Sequence, residues 1–369
     1  MKSVKQAGVD ADYLELCALV EKVLPRYKSF APWHYYIKVA FLLITSISIE
    51  LYLHITGNYD WKLCSILGFL MAMIGMNIQH DANHGAVSRS ATINRYLGYT
   101  QNWIGGSSLD WIHQHVVQHH LHTNELHTDP DIAGSDILRL NPLKPLLKYQ
   151  AFQHIYFFAL ILLFGYIMVI STIYHIIDGI QYTPFTKYFI PHRVFELATS
   201  LLFIFRWFIL PILIKPSIYT LLHILPMFVV GGFYLAFFFI ISHNFKGVYM
   251  FDDETTTTPE TQKIQNSFLH RQVLSSSNVG GNILCFINGG LNYQIEHHLF
   301  PRIQHCHYPT IAPIVREYCR SKGIPYVHFP TIYSNVKSCI EHLCSLGNEQ
   351  QPVYINRPIH TTANTTTAK

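Results

Sequence analysis

The stretch WKLCSILGFLMAMIGMNIQHDANH, residues 61–84, runs an apolar segment of membrane-crossing length straight into two histidines four residues apart. A bilayer core of about 30 Å is crossed by roughly 20 mostly apolar residues in a helix, and 61–79 meets that requirement. Residues i and i+4 share a helix face, so His80 and His84 can offer two imidazoles to one ion at the mouth of the span. A helical membrane protein with metal chemistry at its surface is the reading to extend along the chain.

Four further stretches have the same character: 38–56, 152–177, 195–214 and 218–242. The loop Gly57–Asp60 joins 38–56 to 61–79 as a hairpin. Half of the 369 residues are hydrophobic and 13% are charged, about half the charge of a typical soluble domain. This excludes disorder and collagen as descriptions of the whole chain. A net charge of +4 is too small to suggest a nucleic-acid partner. The seven cysteines never fall in a C-x-x-C pair, which argues against a disulfide framework or a Cys-based zinc site. No apolar core follows the N-terminal Met, so no signal peptide is expected.

Basic residues near span ends set orientation. Lys22, Arg26, Lys28 and Lys38 put an N-terminal segment, 1–36, in the cytosol, and Arg89, Arg95, Arg139, Lys144 and Lys148 put 80–150 on the same side. Pro211 interrupts 195–214, and Arg206 sits in its middle, where a lipid-facing charge costs about 3 kcal/mol. That stretch is expected to be interfacial or re-entrant. Four transmembrane helices then remain, with both termini cytosolic and a membrane domain over 37–330. The C-terminal tail, 331–369, ends in a Thr-rich piece expected to be disordered.

The histidines are the anomaly, 23 against 22 acidic residues, with eight of them in 80–127. HQHVVQHHLH at 113–122 puts His115 and His119 at i and i+4, with His120 free to turn towards a second ion. In QIEHH, Gln294 precedes His297 and His298 by three and four. His243 ends the last apolar stretch and Asn244 follows it. Clustered imidazoles near lipid are unfavourable unless a cation or hydrogen bonds compensate. Imidazole suits Zn, Cu, Fe and Ni. One tetrahedral zinc takes at most four ligands, and these groups offer enough for two ions. Two irons can share the electrons of O2 reduction, which points to attack on an unactivated C–H bond in a lipid chain. Asp81, Asp129, Asp131 and Glu296 stand beside the histidines, placed to orient their N–H groups. Trp103 and Trp111 suit either an interfacial helix below the site or core packing. A His-lined metal transporter is the alternative from another class, and it requires ligands inside the spans.

HDANH, HVVQHH and QIEHH, in this order around four spans, resemble the membrane-bound fatty acyl desaturases. The resemblance extends over roughly 35–330 and includes DPDI at 129–132 and NYQIEHHLFPRI at 292–303. Gln294 in place of His is characteristic of the front-end subgroup, which inserts a cis double bond between an existing one and the carboxyl end. The resemblance implies an all-α integral membrane fold whose cytosolic helical cap carries a His-rich di-iron site, with O2 as co-substrate. Its ligands are His80, His84, His115, His119, His120, His243, Gln294, His297 and His298. Three residues separate His115 from the His119–His120 pair where many relatives have two, which makes His113 the substitute candidate. Asp81, Asn244 and Glu296 are placed around the ligands.

The implied substrate is a fatty acyl lipid or acyl-CoA, and the implied location is the endoplasmic reticulum. No His-Pro-Gly-Gly haem motif is present. Electrons are therefore expected from a separate donor, cytochrome b5 with its reductase or a ferredoxin. The spelling HVVQHHLHTN is closer to members acting at carbon 5, with carbons 4, 6 and 8 open. A sphingoid-base desaturase and a lipid hydroxylase are alternatives on the same scaffold.

Overall fold

The computed structural model describes residues 10–134, 136–179, 187, 190–251 and 264–348; the Thr-rich end lies outside them. The described elements are almost all helices, and five runs are long and apolar enough to cross a membrane. The chain is an all-α integral membrane protein.

After α1 (Ala11–Val23) comes the expected hairpin, α2 (Trp33–Thr56) and α3. α3 starts as Trp61–Ile74, passes through a π turn at Gly75–Gln79 and ends as His80–Asn83. Gly57 makes the reversal at φ +62°, a left-handed conformation that glycine adopts without strain. Asp60 then caps α3 by accepting from the N–H groups of Lys62 and Leu63. A short helix, α4 (Ala91–Gly98), follows the first histidine pair.

α5 (Gln153–Asp178) and α7 (Ile218–His243) pack with α3 as the centre of the bundle. Their backbones meet at glycines: a Cβ on Gly68 would lie 2.2 Å from the Met227 carbonyl oxygen, and one on Gly232 would lie 2.1 Å from the Gly165 nitrogen. Without a hydrophobic force between helices in lipid, such close approach supplies the dispersion contact that holds them.

α6 runs over Arg193–Ile204, a π turn at Phe205–Ile209, and Leu210–Ile214. Two expectations about it change. Arg206 does not face lipid alone; its guanidinium grips the Glu50 carboxylate of α2 with both contacts at 2.6 Å. Pro211 does not break the helix either. The π turn just before it adds a residue, which gives the ring room that a regular turn lacks.

The cap combines α8 (Phe268–Leu274), α9 (Asn282–Asn288), α10 (Gln294–Leu299) and α11 (Tyr308–Ser321) with α1. Leu16 and Val20 of α1 share a core with Ile295, Leu299, Ile311 and Val315. Two short parallel strands, β1 (Asn278–Val279) and β2 (His328–Phe329), pair Asn278 with His328 and Val279 with Phe329. The C-terminal tail begins with a helix, α12 (Ile332–Asn348). Its Cys339, Leu343 and Leu346 recur at helical spacing and are buried. The helix packs on the start of α5, where Gln153 donates to the Leu343 carbonyl.

Candidate metal centre

The first histidine pair sits where α3 emerges from its π turn, with the ring centroids of His80 and His84 4.9 Å apart. The second box is itself π-helical, Ile112–His119. A π-helix closes i to i+5 bonds rather than i to i+4, so the expected pairing of His115 with His119 is replaced. His115 faces His120, five residues on, with their Nε2 atoms 3.2 Å apart. His119 turns to the other side. α10 is regular and splits its own histidines. His297 meets His120 at 3.0 Å between Nε2 atoms, while Gln294 Nε2 lies 3.1 Å from His298 Nε2 and 2.9 Å from His243 Nε2.

Two groups of nitrogens result. His80, His84, His115 and His297 form one, and His119, His243 and His298 the other; within each, the ligand atoms lie within 4.8 Å of one another. His120 stands between them, its ring stacked on His298 at 4.3 Å. Each of the eight histidines is at most 6% exposed. Among the described residues, several of their nitrogens have no hydrogen-bond partner: both of His80, Nε2 of His84 and His119, and Nδ1 of His120. Gln294 Oε1 is unpartnered too. Buried polar atoms are normally paired, and a bound cation would satisfy one nitrogen of each ring that faces it. The donor set fits two ions of the kind that imidazole prefers.

Electrostatics agree with that use. Burial, then neighbouring imidazoles, hold His84, His115, His120, His297 and His298 well below the ordinary histidine range. They stay neutral, the form that binds metal. His119 goes the other way. Burial pushes it down, but the carboxylates of Asp129 and Asp131 overcome that and raise it to about 9.

The outer partners explain which nitrogen faces inward. Asp129 contacts His119 Nδ1 at 3.1 Å, Ser275 O contacts His243 Nδ1 at 2.9 Å, and Gln272 Oε1 contacts His298 Nδ1 at 2.8 Å. Tyr308 OH lies 3.1 Å from His297 Nδ1. Each contact fixes a ring and leaves Nε2 for the site. Asp129 is held in turn by the N–H groups of Asn124 and Asp131. Asn124 turns the chain there at φ +61°, a conformation that Asn tolerates better than most residues.

Not every flanking residue goes where the sequence suggests. Asp131 approaches His119 Nδ1 at 3.3 Å but its side chain is 58% exposed. Asp81 pairs with His305 at 2.5 Å instead of orienting a box histidine. Burial lowers His305, and Asp81 overrides it, up to about 9. Glu296 accepts from Asn278 and Tyr326, both at 2.7 Å, and burial pushes it up to about 7. His113 lies outside both groups. Asn244 donates to the Ile240 carbonyl in its own helix. Trp111 packs on His115 at 4.4 Å between centroids, and Trp103 donates to Glu50; the segment between them, 104–110, is buried throughout and is core rather than interface. Gln272, Ser275, Tyr308 and His305 were not singled out from sequence. Only Tyr308 and His305 carried any signal, by following the third box closely.

A cavity of about 380 Å³ opens on the site, within the usual size range of a ligand pocket. His80, His115, His119 and His243 line it together with Phe164, Met168, Leu235 and Phe239, and Gln101, Ser107 and Gln114 are among its polar residues. The arrangement can present a long apolar chain to two metal ions.

The family model for fatty acid desaturases matches residues 60–330. An acyl-lipid (7-3)-desaturase of Rebecca salina is 43% identical over 346 residues, covering 92% of this chain and 76% of that protein. One from Diacronema lutheri is 41% identical, covering 94% and 77%. An acyl-lipid (8-3)-desaturase of Physcomitrium patens is 33% identical, covering 76% and 59%. With its histidine groups built from the three boxes and a match across most of its length, this chain belongs to the fatty acid desaturase family of oxidoreductases.

Proposed function

We propose that the protein is a front-end acyl-lipid desaturase that uses two irons, O2 and two electrons to place a cis double bond on the carboxyl side of an existing one. The carrying observation is a pair of buried, converging imidazole groups opening on a mostly apolar cavity. His80, His84, His115, His120 and His297 on one side and His119, His243, Gln294 and His298 on the other would hold the irons, which when bound would activate O2 as the oxidant. CH2–CH2, O2, two electrons and two protons become CH=CH and two waters. The chain's own residues do the positioning. Phe239, Leu235 and Trp111 confine the methylenes and keep water from the reacting carbons. Asp129, Gln272 and Ser275 keep their histidines turned inward.

The relatives' names favour the (7-3) regiochemistry over the carbon 5 position read from the box spelling, since the (7-3) enzymes are the more similar. Expression in yeast supplied with acyl chains whose first double bond lies at carbon 7 or at carbon 8, with the product bond located by mass spectrometry, decides this. Conversion of saturated chains only, or a hydroxylated product, would overturn the front-end reading.

Electrons come from a separate donor, cytochrome b5 with its reductase in the endoplasmic reticulum. The membrane domain, about 37–330, crosses four times with its histidines on the cytosolic face. Convergence of His84, His243 and His297 supports the even count, because the ends of α3 and α7 must share a face. The far end of α6 reaches the hairpin loop, where Ile214 meets Gly57. Glycosylation sites inserted at 57–60 and 215–217 should both be modified; modification at one loop alone would break the four-crossing topology.

A further inference from the structure

A second cavity, of about 320 Å³, shares a wall with the acyl cavity. Ser108, Leu109 and Ile112 face it, while Ser107, Asp110 and Trp111 of the same segment face the acyl cavity. Three arginines line it, Arg89, Arg95 and Arg302, and all three are exposed at its opening. Among the described residues none of the three is in an ion pair. The one carboxylate in the lining, Glu196, is buried at the inner end and accepts from Asn102 at 2.6 Å.

The basic rim is built rather than loose. Asn94 bonds the Ser88 backbone in both directions, at 3.0 and 2.7 Å, which fixes the loop that carries Arg89 against the helix that carries Arg95. Arg89 donates to the Tyr27 carbonyl and lies over the Phe30 ring. Arg26, which donates to the Arg302 carbonyl, also lies over Phe30. Arg26 and Arg89, gathered over one ring, are like charges that an anion at the cavity mouth would offset.

The surroundings name the anion. On α4, Ile93 and Tyr96 flank Arg95 and are exposed, and Val194 at the start of α6 is 79% exposed. Apolar side chains of this kind, on the outside of a membrane helix bundle, sit in lipid. A cluster of arginines at their edge therefore lies at headgroup depth, where basic pockets between helices take lipid phosphates. The planar guanidinium matches a phosphate with two parallel bonds.

We propose that this cavity binds the phosphate of a membrane glycerophospholipid, with Arg89, Arg95 and Arg302 as the binding groups. The site borders the acyl cavity, so a phospholipid held there lies beside the reaction centre. Binding does not depend on turnover, and its failure is separate from failure of the desaturase reading.

The test uses the full-length, iron-loaded protein, delipidated in detergent. Its probes are phosphatidic acid, diacylglycerol with the same chains, coenzyme A and inorganic phosphate. Wild type should bind phosphatidic acid at least about tenfold more tightly than diacylglycerol. Arg89→Gln/Arg95→Gln/Arg302→Gln should erase that difference at unchanged iron content, while Arg316→Gln/Arg320→Gln in the cap keeps it. Should the triple variant not fold, Arg95→Gln alone should lose a few-fold. Equal binding of phosphatidic acid by the triple variant overturns the proposal. So does displacement by coenzyme A or inorganic phosphate at equal concentration, which would make the ligand a soluble one. Slower reduction by a donor protein with lipid binding unchanged would also overturn it and assign the patch to a protein partner.

Discussion

In the group made by His119, His243 and His298, each imidazole is held from behind, by Asp129, Ser275 and Gln272. In the group made by His80, His84, His115 and His297, with His120 beside it, only His297 has such a partner, Tyr308, among the described residues. An outer partner fixes the tautomer and the ring angle before any ion arrives. The first of these groups is pre-organised; in the second, a bound ion would have to align the rings. The difference teaches that one histidine-rich centre contains two kinds of order, and four experiments can break or sharpen that contrast.

The largest effect belongs to His120, which touches both groups: His120→Ala should leave no detectable product and reduce bound iron at both positions, read by product analysis and metal stoichiometry. Wild-type turnover by this variant would remove His120 from the centre. Asp129→Asn strikes only the pre-organised group and should weaken one iron by about 10- to 100-fold, taking stoichiometry from two towards one during dialysis. Loss of both irons together would show that the groups are not separable.

Acid should act on histidines of both groups. His84, His115, His120, His297 and His298 have lowered values in the folded protein, so below about 6.5 the unfolded chain takes up protons that the folded site refuses. Stability and iron retention are full above that pH and fall as it drops below it. His119 has the opposite sign. Its ion pair with Asp129 stabilises the metal-free protein most at low-neutral pH, and that contribution is lost as pH rises through about 9. Thermal melts of metal-free protein from pH 5 to 10 check both limbs; a flat profile would contradict the buried neutral imidazoles.

The smallest effect is Tyr308→Phe. It removes one hydrogen bond worth about 1 kcal/mol from the group with little outer support, so a few-fold loss of iron affinity is expected. A loss as large as that of Asp129→Asn would erase the distinction.

Much of this was legible beforehand. The five apolar stretches, the Gly57–Asp60 reversal and the three histidine boxes can be read locally, because span length and residue type are properties of short segments. The partition of ligands was not. Spacing alone joined His115 to His119, and the π-helix at Ile112–His119 joins His115 to His120. No local rule distinguishes a π turn from an α turn here, since the extra residue is accommodated by packing. Arg206 misled for a related reason: its cost depends on Glu50, which lies 156 residues away in sequence.

The sequence by itself determined the composition of the site and the membrane character of the chain, since imidazole chemistry and hydropathy belong to the residues. Only the tertiary structure decided how the histidines divide into two groups, that Asp129 rather than Asp81 backs one of them, and that Arg89, Arg95 and Arg302 share a cavity. Those are relations between distant segments. Their energies depend on distances of a few ångströms that only packing sets.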